Sequence, residues 1–177
     1  IKARVRVGDT WSALSTISFP QRKADRQLVI TEIMYHPFGG EEYEFIELQN
    51  VSGTSLDLTN MTFEGIGFTF PPETYLKAQA FLVLVNDKTA FTQRYPTVPI
   101  GGVYQGRLSN KGEALVLKDR TGQPIFQVHY DDDQGWPVST DGQGDSLTLA
   151  DLGADPTLKQ SWRASHTVFG SPGRGDK

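Results

Sequence analysis

Glu42-Tyr43-Glu44-Phe45-Ile46-Glu47-Leu48-Gln49 is the stretch on which the fold turns. Side chains alternate along a strand, so one face carries Tyr43, Phe45 and Glu47 and the other carries Glu44, Ile46 and Leu48. Each face therefore holds two apolar groups and a carboxylate. A strand with one solvated side would collect its polar residues on that side. The pattern predicts a central strand, covered on both faces, near the margin of a sandwich core. Glu47 and the following Asn50 are expected to spend their polar groups on loop backbone.

Working outward, residues 28–35 read as a neighbouring strand. Phe81-Leu82-Val83-Leu84-Val85 is continuous rather than alternating, as expected of a strand covered on both faces. Further strands are expected at 2–7, 13–19, 68–70, 80–86, 114–118, 125–130 and 146–150, separated by Gly, Pro, Asn and Asp. Helix is confined to a turn or two at 88–95, ended by Pro96, and at 156–159. Asn110 and Gly112 flank a lysine before a strand, and both residue types tolerate the positive φ of a tight hairpin. Short strands without alternating helices predict an all-β sandwich.

The chain of 177 residues is long enough to bury a substantial core, and its hydrophobic fraction of 37% is that of a globular protein. It contains no cysteine, which excludes a disulfide framework, a thiolate metal site and a cysteine nucleophile together. A net charge of −4 argues against a sequence-independent grip on nucleic acid, which draws on many Lys and Arg contacts to phosphate. The one basic cluster, Arg22, Lys23 and Arg26, sits in a polar stretch beside Pro20 and reads as a solvated linker. No apolar run reaches the length of a membrane span, and no secretory leader pattern is present. The first residue is Ile1 rather than Met, as expected of a segment cut or processed from a longer protein. The expected organisation is a strand pair at 1–19, a linker at 20–27, the main domain at 28–173 and a terminal tail at 174–177.

From Leu28 onward the chain resembles the lamin tail domain family, known from nuclear lamins and from many bacterial secreted proteins. The resemblance rests on Val29-Ile30-Thr31-Glu32-Ile33-Met34-Tyr35-His36-Pro37 and Glu44-Phe45-Ile46-Glu47-Leu48-Gln49-Asn50. It continues through Leu108-Ser109-Asn110-Lys111-Gly112-Glu113, Gly135-Trp136-Pro137, Asp141-Gly142-Gln143-Gly144-Asp145-Ser146-Leu147 and Gly170-Ser171-Pro172-Gly173. It implies an immunoglobulin-like β-sandwich with no known catalytic machinery, used as an accessory module in secreted or surface multidomain chains. Residues 1–19, with Val5-Arg6-Val7 and Trp11-Ser12-Ala13-Leu14, are similar to the last two strands of a fibronectin-type-III-like domain.

Several strings invite a chemical reading. Gly144-Asp145-Ser146-Leu147 spells the signature of GDSL-type ester hydrolases, but none of His36, His129 and His166 has an aspartate three positions before it. A serine without a positioned base is inert at neutral pH, so Ser146 is expected to enter a strand and no catalytic residue is assigned. Asp131, Asp132 and Asp133 are consecutive, with Asp141 and Asp145 following in a Gly-rich loop, and hard oxygen ligands on such a loop suit calcium. The first three and Asp141 are the candidate metal ligands, against the bland reading of a solvated acidic loop. The histidines are too far apart in sequence for a helical zinc pair. Tyr95, Tyr104 and Trp11 could form a sugar-binding platform, although core packing explains aromatics equally well. Asn50-Val51-Ser52 and Asn60-Met61-Thr62 match the glycosylation acceptor pattern, and Arg174-Gly175-Asp176 matches an integrin-recognition tripeptide. The expected function is a non-catalytic extracellular interaction module whose partners are neighbouring domains of the same chain, a surface protein or a glycan. The alternatives are a carbohydrate- or calcium-binding module and a small ester hydrolase.

Overall fold

The computed structural model describes residues 2–3, 6–12, 15–16 and 26–177. At the front, Lys2–Ala3 (β1), Arg6–Val7 (β2), Thr10–Trp11 (β3) and Ser15–Thr16 (β4) make two short antiparallel pairs, β1 with β4 and β2 with β3. Val7 faces Thr10, which leaves Gly8 and Asp9 as a two-residue turn with Gly8 at φ 59°. So short a turn sets the arms directly opposite each other, and the second arm starts at Thr10, ahead of the expected strand at 13–19. Residues 4–5 of the expected strand at 2–7, 13–14 and 17–19 of the expected strand at 13–19, and 20–25 of the expected linker lie outside the described residues.

The main domain packs two sheets face to face. Leu28–Met34 (β5) and Phe45–Asn50 (β6) are buried at every position. They lie at the centre of a six-stranded sheet because β6 pairs on its other side with Phe81–Val85 (β11), and β5 pairs with Leu147–Leu149 (β15). Ile100–Val103 (β12) and Trp162–Ala164 (β16) form the edges. The facing sheet has four strands in the order Pro124–Tyr130 (β14), Glu113–Lys118 (β13), Thr62–Glu64 (β8) and Phe68–Thr69 (β9). Leu56–Asp57 (β7) and Tyr75–Leu76 (β10) add a small pair. In β14, Phe126, Val128 and Tyr130 point inward while Gln127 and His129 face solvent, the alternation of a sheet covered on one side.

The expected strand at 42–49 begins only at Phe45, because Glu41–Tyr43 turn as a 3-10 helix closed by a hydrogen bond from the Glu44 N–H to the Glu41 carbonyl. The Lys88–Arg94 helix (α1) starts where expected, with the Asp87 carboxylate accepting the Ala90 N–H at 2.9 Å. It carries the chain from β11 to β12, which run parallel, so this sheet is not purely antiparallel. The expected turn at 156–159 appears later, as the 3-10 turn Lys159–Ser161. Gly112 is at φ 93° as expected, whereas Asn110 keeps an ordinary φ, since the loop connects two different sheets and closes no hairpin. Strands β7, β10, β12 and β16 escape the sequence pattern because each is two to four residues long and at an edge, and β8, inside the four-stranded sheet, because it is only three residues long.

Pairing of β5 with β6 shifts register between Ile30 and Glu32, leaving Thr31 as an extra residue. That bulge keeps Ile30 and Ile33 in the core between the sheets, beside Ile46, Leu48, Leu115 and Val128. It also turns Glu32 and Met34 to the outer face. There Met34, Phe45, Val83 and Val85 pack under Phe91 of α1, a second apolar cluster. The outer face is thus divided: an apolar end capped by the helix and a polar end carrying Glu32 and Glu47.

Candidate functional site

The two central strands and the residue just before β6 carry three buried carboxylates. Glu32 and Glu47 are cross-strand partners, and Glu44 immediately precedes β6. Glu47 accepts the Thr31 hydroxyl at 2.6 Å and the Gly173 N–H at 2.6 Å. Glu32 accepts the Ser171 N–H at 2.8 Å, the Ser171 hydroxyl at 3.0 Å and the Ser146 hydroxyl. A side chain at Gly170, where φ is 77°, would run into the Glu32 carboxylate, so only glycine lets the terminal segment come this close. Burial pushes the Glu47 carboxyl up to about 8, with the charge of Glu32 adding to it. Burial likewise raises Glu32. Glu44 accepts the Tyr104 hydroxyl at 3.0 Å and the Leu108 N–H at 2.9 Å, and burial lifts it to about 7. These carboxylates latch the Gly170–Gly173 segment and the loop at Leu108 to the sheet. A groove of about 430 Å³ opens beside the latch between Gln49, Phe81, Thr148 and Asp176.

Ser146, the serine of the ester-hydrolase-like string, is fully buried just before β15. Its hydroxyl donates to Glu32, and its N–H donates to the Ser165 hydroxyl oxygen at 3.0 Å. No substrate carbonyl could approach that oxygen without opening the sheet. The string is a structural connection between the terminal segment and β5.

The acidic loop after β14 gathers three of the four candidate metal ligands. One carboxylate oxygen from each of Asp131, Asp132 and Asp133 lies within 4.8 Å of the others. Asp131 Oδ1 also accepts the backbone N–H groups of Asp132 at 2.8 Å and Asp133 at 3.2 Å. The Lys111 ammonium sits 2.5 Å from Asp132 and holds that carboxyl below its ordinary range. Asp141 stands apart from this group: the bridge between His36 and Asp141 brings its carboxylate to 2.6 Å from His36 Nδ1.

Tyr104 belongs to the core rather than to a sugar platform, because its hydroxyl is needed by buried Glu44. The Tyr95 hydroxyl donates to the Phe169 carbonyl at 2.5 Å, and the side chain of Trp11 lies outside the described residues. Asn50 is buried, with its amide donating to the carbonyls of Thr54, Leu76 and Lys77, so the folded chain offers no acceptor nitrogen there. In Arg174-Gly175-Asp176, the Asp176 carboxylate is held at 2.5 Å by Arg163 and accepts the His166 N–H at 3.1 Å. It is therefore not displayed as a recognition tripeptide. Of the buried polar network, sequence reading caught Glu47 and Asn50. It also placed Glu44 on a covered face, though without partners, and it missed Glu32, for which a lone carboxylate within an apolar strand was the available signal.

No curated protein matches the chain. The family model of the Lamin Tail Domain matches residues 21–132, which takes in both central strands, α1 and the four-stranded sheet. The match ends before Trp136, β15, β16 and the Gly170–Gly173 segment, yet β15 pairs directly with matched β5 and the segment is clamped by matched Glu32 and Glu47. By sequence over more than half its length and by its immunoglobulin-like sandwich, the chain belongs to the lamin tail domain family.

Proposed function

We propose that the domain is a non-catalytic interaction module of a larger extracellular protein, joining neighbouring domains of its own chain to a surface protein or glycan. The observation that carries the non-catalytic part is the burial of Ser146, whose hydroxyl is spent on Glu32 inside the fold. A nucleophile must reach its substrate and be relieved of its proton by a nearby base. Here the neighbouring carboxylate is itself committed to Ser171. Among the described residues, no helix is long and apolar enough to cross a membrane. The extracellular setting is supported by the resemblance to secreted relatives. Hydrolysis of p-nitrophenyl acetate no faster than by heat-unfolded protein is the expected result, and turnover abolished by Ser146→Ala would overturn the reading. Protease treatment of intact cells carrying the tagged full-length protein tests the setting. Removal of the tag is expected, and protection until the cells are lysed would refute it.

A second reading, calcium binding, is favoured by the convergence of Asp131, Asp132 and Asp133 within 4.8 Å. In it calcium displaces the Lys111 ammonium, which already serves as a local counter-charge.

A further inference from the structure

The chain holds an exposed apolar patch built from three separate loops. Phe38 is 59% exposed, Val168 57% and Phe169 37%. All three meet at Gly144, where an added Cβ would lie 3.1 Å from Val168, 3.8 Å from Phe38 and 3.9 Å from Phe169. Val138, 70% exposed, stands on the same 138–145 loop, whose Asp145 N–H donates to the Ser139 carbonyl.

The patch is held in place rather than left loose. Phe169 sits at φ 72°, a left-handed conformation costly for an aromatic residue. Its N–H donates to the Gly144 carbonyl at 2.7 Å, and its carbonyl accepts the Tyr95 hydroxyl at 2.5 Å. The Arg94 guanidinium lies 3.3 Å from the centre of the Tyr43 ring and 4.8 Å from that of Phe169, and it donates to the Phe38 carbonyl at 2.9 Å. Strain that displays a ring to water is compensated from beneath by these contacts and gains nothing in the isolated domain.

Acidic groups border the patch. Asp145 follows Gly144 directly, and Asp141 is tied to His36, two residues before Phe38. The acidic loop of Asp131, Asp132 and Asp133 lies at the same end of the sandwich, since it follows Tyr130, whose ring centre is 4.7 Å from that of Tyr35, three residues before Phe38. Of the basic groups beside them, Lys111 is already paired with Asp132, Lys159 donates to the Gln134 carbonyl, His36 is bonded to Asp141, and Arg94 is engaged with the Tyr43 and Phe169 rings.

We infer that Phe38, Val168 and Phe169, bordered by Asp131 to Asp133, Asp141 and Asp145, form a docking surface for a protein segment carrying an apolar side chain flanked by Lys or Arg. This deepens the interaction-module reading and rests on it. The apolar side chain covers the exposed rings, and the flanking cations find carboxylates in place of water.

The test is selection of a random peptide display library on the intact wild-type domain, with fluorescence anisotropy of the selected peptides. Phe38→Ser/Val168→Ser is the principal variant, and both positions are exposed enough for the fold to survive, which circular dichroism checks. Enriched peptides should pair an aromatic or aliphatic residue with Lys or Arg, weaken as salt is added, and lose at least about tenfold in affinity on the double variant. Exposed Asp133→Lys should weaken them as well. Peptides that bind the double variant equally would overturn this surface while leaving the module reading intact. Acidic or uncharged winners, no enrichment at all, or a dimer of the domain abolished by the double substitution would overturn the proposed partner. Ester turnover dependent on Ser146 is the separate result that sinks the module reading itself.

Discussion

Glu32 and Glu47 face each other across β5 and β6, and each reaches out to the same terminal segment, Glu32 to Ser171 and Glu47 to Gly173. Two buried carboxylates side by side cannot both ionise without cost, since each charge opposes the other and both are removed from water. The latch on the terminal segment is therefore sensitive to protons.

Stability should fall as pH rises. Glu47 goes from an ordinary value of 4.5 to about 8 on folding, so its contribution is complete below about 4.5 and is lost as pH climbs through about 8. Glu44, raised from 4.5 to about 7, acts in the same direction. Urea unfolding at a series of pH values should show this decline, and Glu47→Gln, which removes the titrating group, should flatten it. A decline of the same steepness in the variant would refute the assignment.

Ser146→Ala removes a buried donor from Glu32, leaving its oxygen to the Ser171 N–H alone. The expected loss of stability is about 1–2 kcal/mol, the contribution of one buried hydrogen bond. Any background ester hydrolysis should not change. A variant as stable as wild type would show that the hydroxyl does not hold the latch.

Millimolar calcium should raise the melting temperature by mass action if it competes with Lys111 for the acidic loop. The rise should be larger in Lys111→Ala, where no ammonium occupies Asp132. Changing Asp131, Asp132 and Asp133 together to Asn should abolish it. Identical melting in calcium and in chelator for both wild type and Lys111→Ala would eliminate the calcium reading.

Removing residues 1–20 should leave a soluble domain that unfolds cooperatively. The family match starts at residue 21, and the two sheets of the sandwich are built from residues 28 onward. A two-stranded ladder adds little stability by itself. Aggregation or loss of a cooperative melt in the truncated chain would show that the front strands belong to the sandwich.

The sequence by itself determined the all-β class, the two central strands and the helix ahead of Pro96. Those are local patterns: apolar residues on both faces of 42–49, a continuous apolar run at 81–85, and a short helical stretch at 88–95 ended by Pro96. Only the tertiary structure decided where the polar groups of those strands spend themselves. The partners of Glu32 are Ser146 and Ser171, and that of Ser146 in turn is Ser165; the first two pairings span 114 and 139 residues. A hydrogen bond at that separation leaves no periodicity in the chain. The surface patch was hidden for the same reason. Phe38, Gly144 and Phe169 are ordinary loop residues in sequence, and they became neighbours only when pairing of β5 with β15 brought their loops to one end of the sheet.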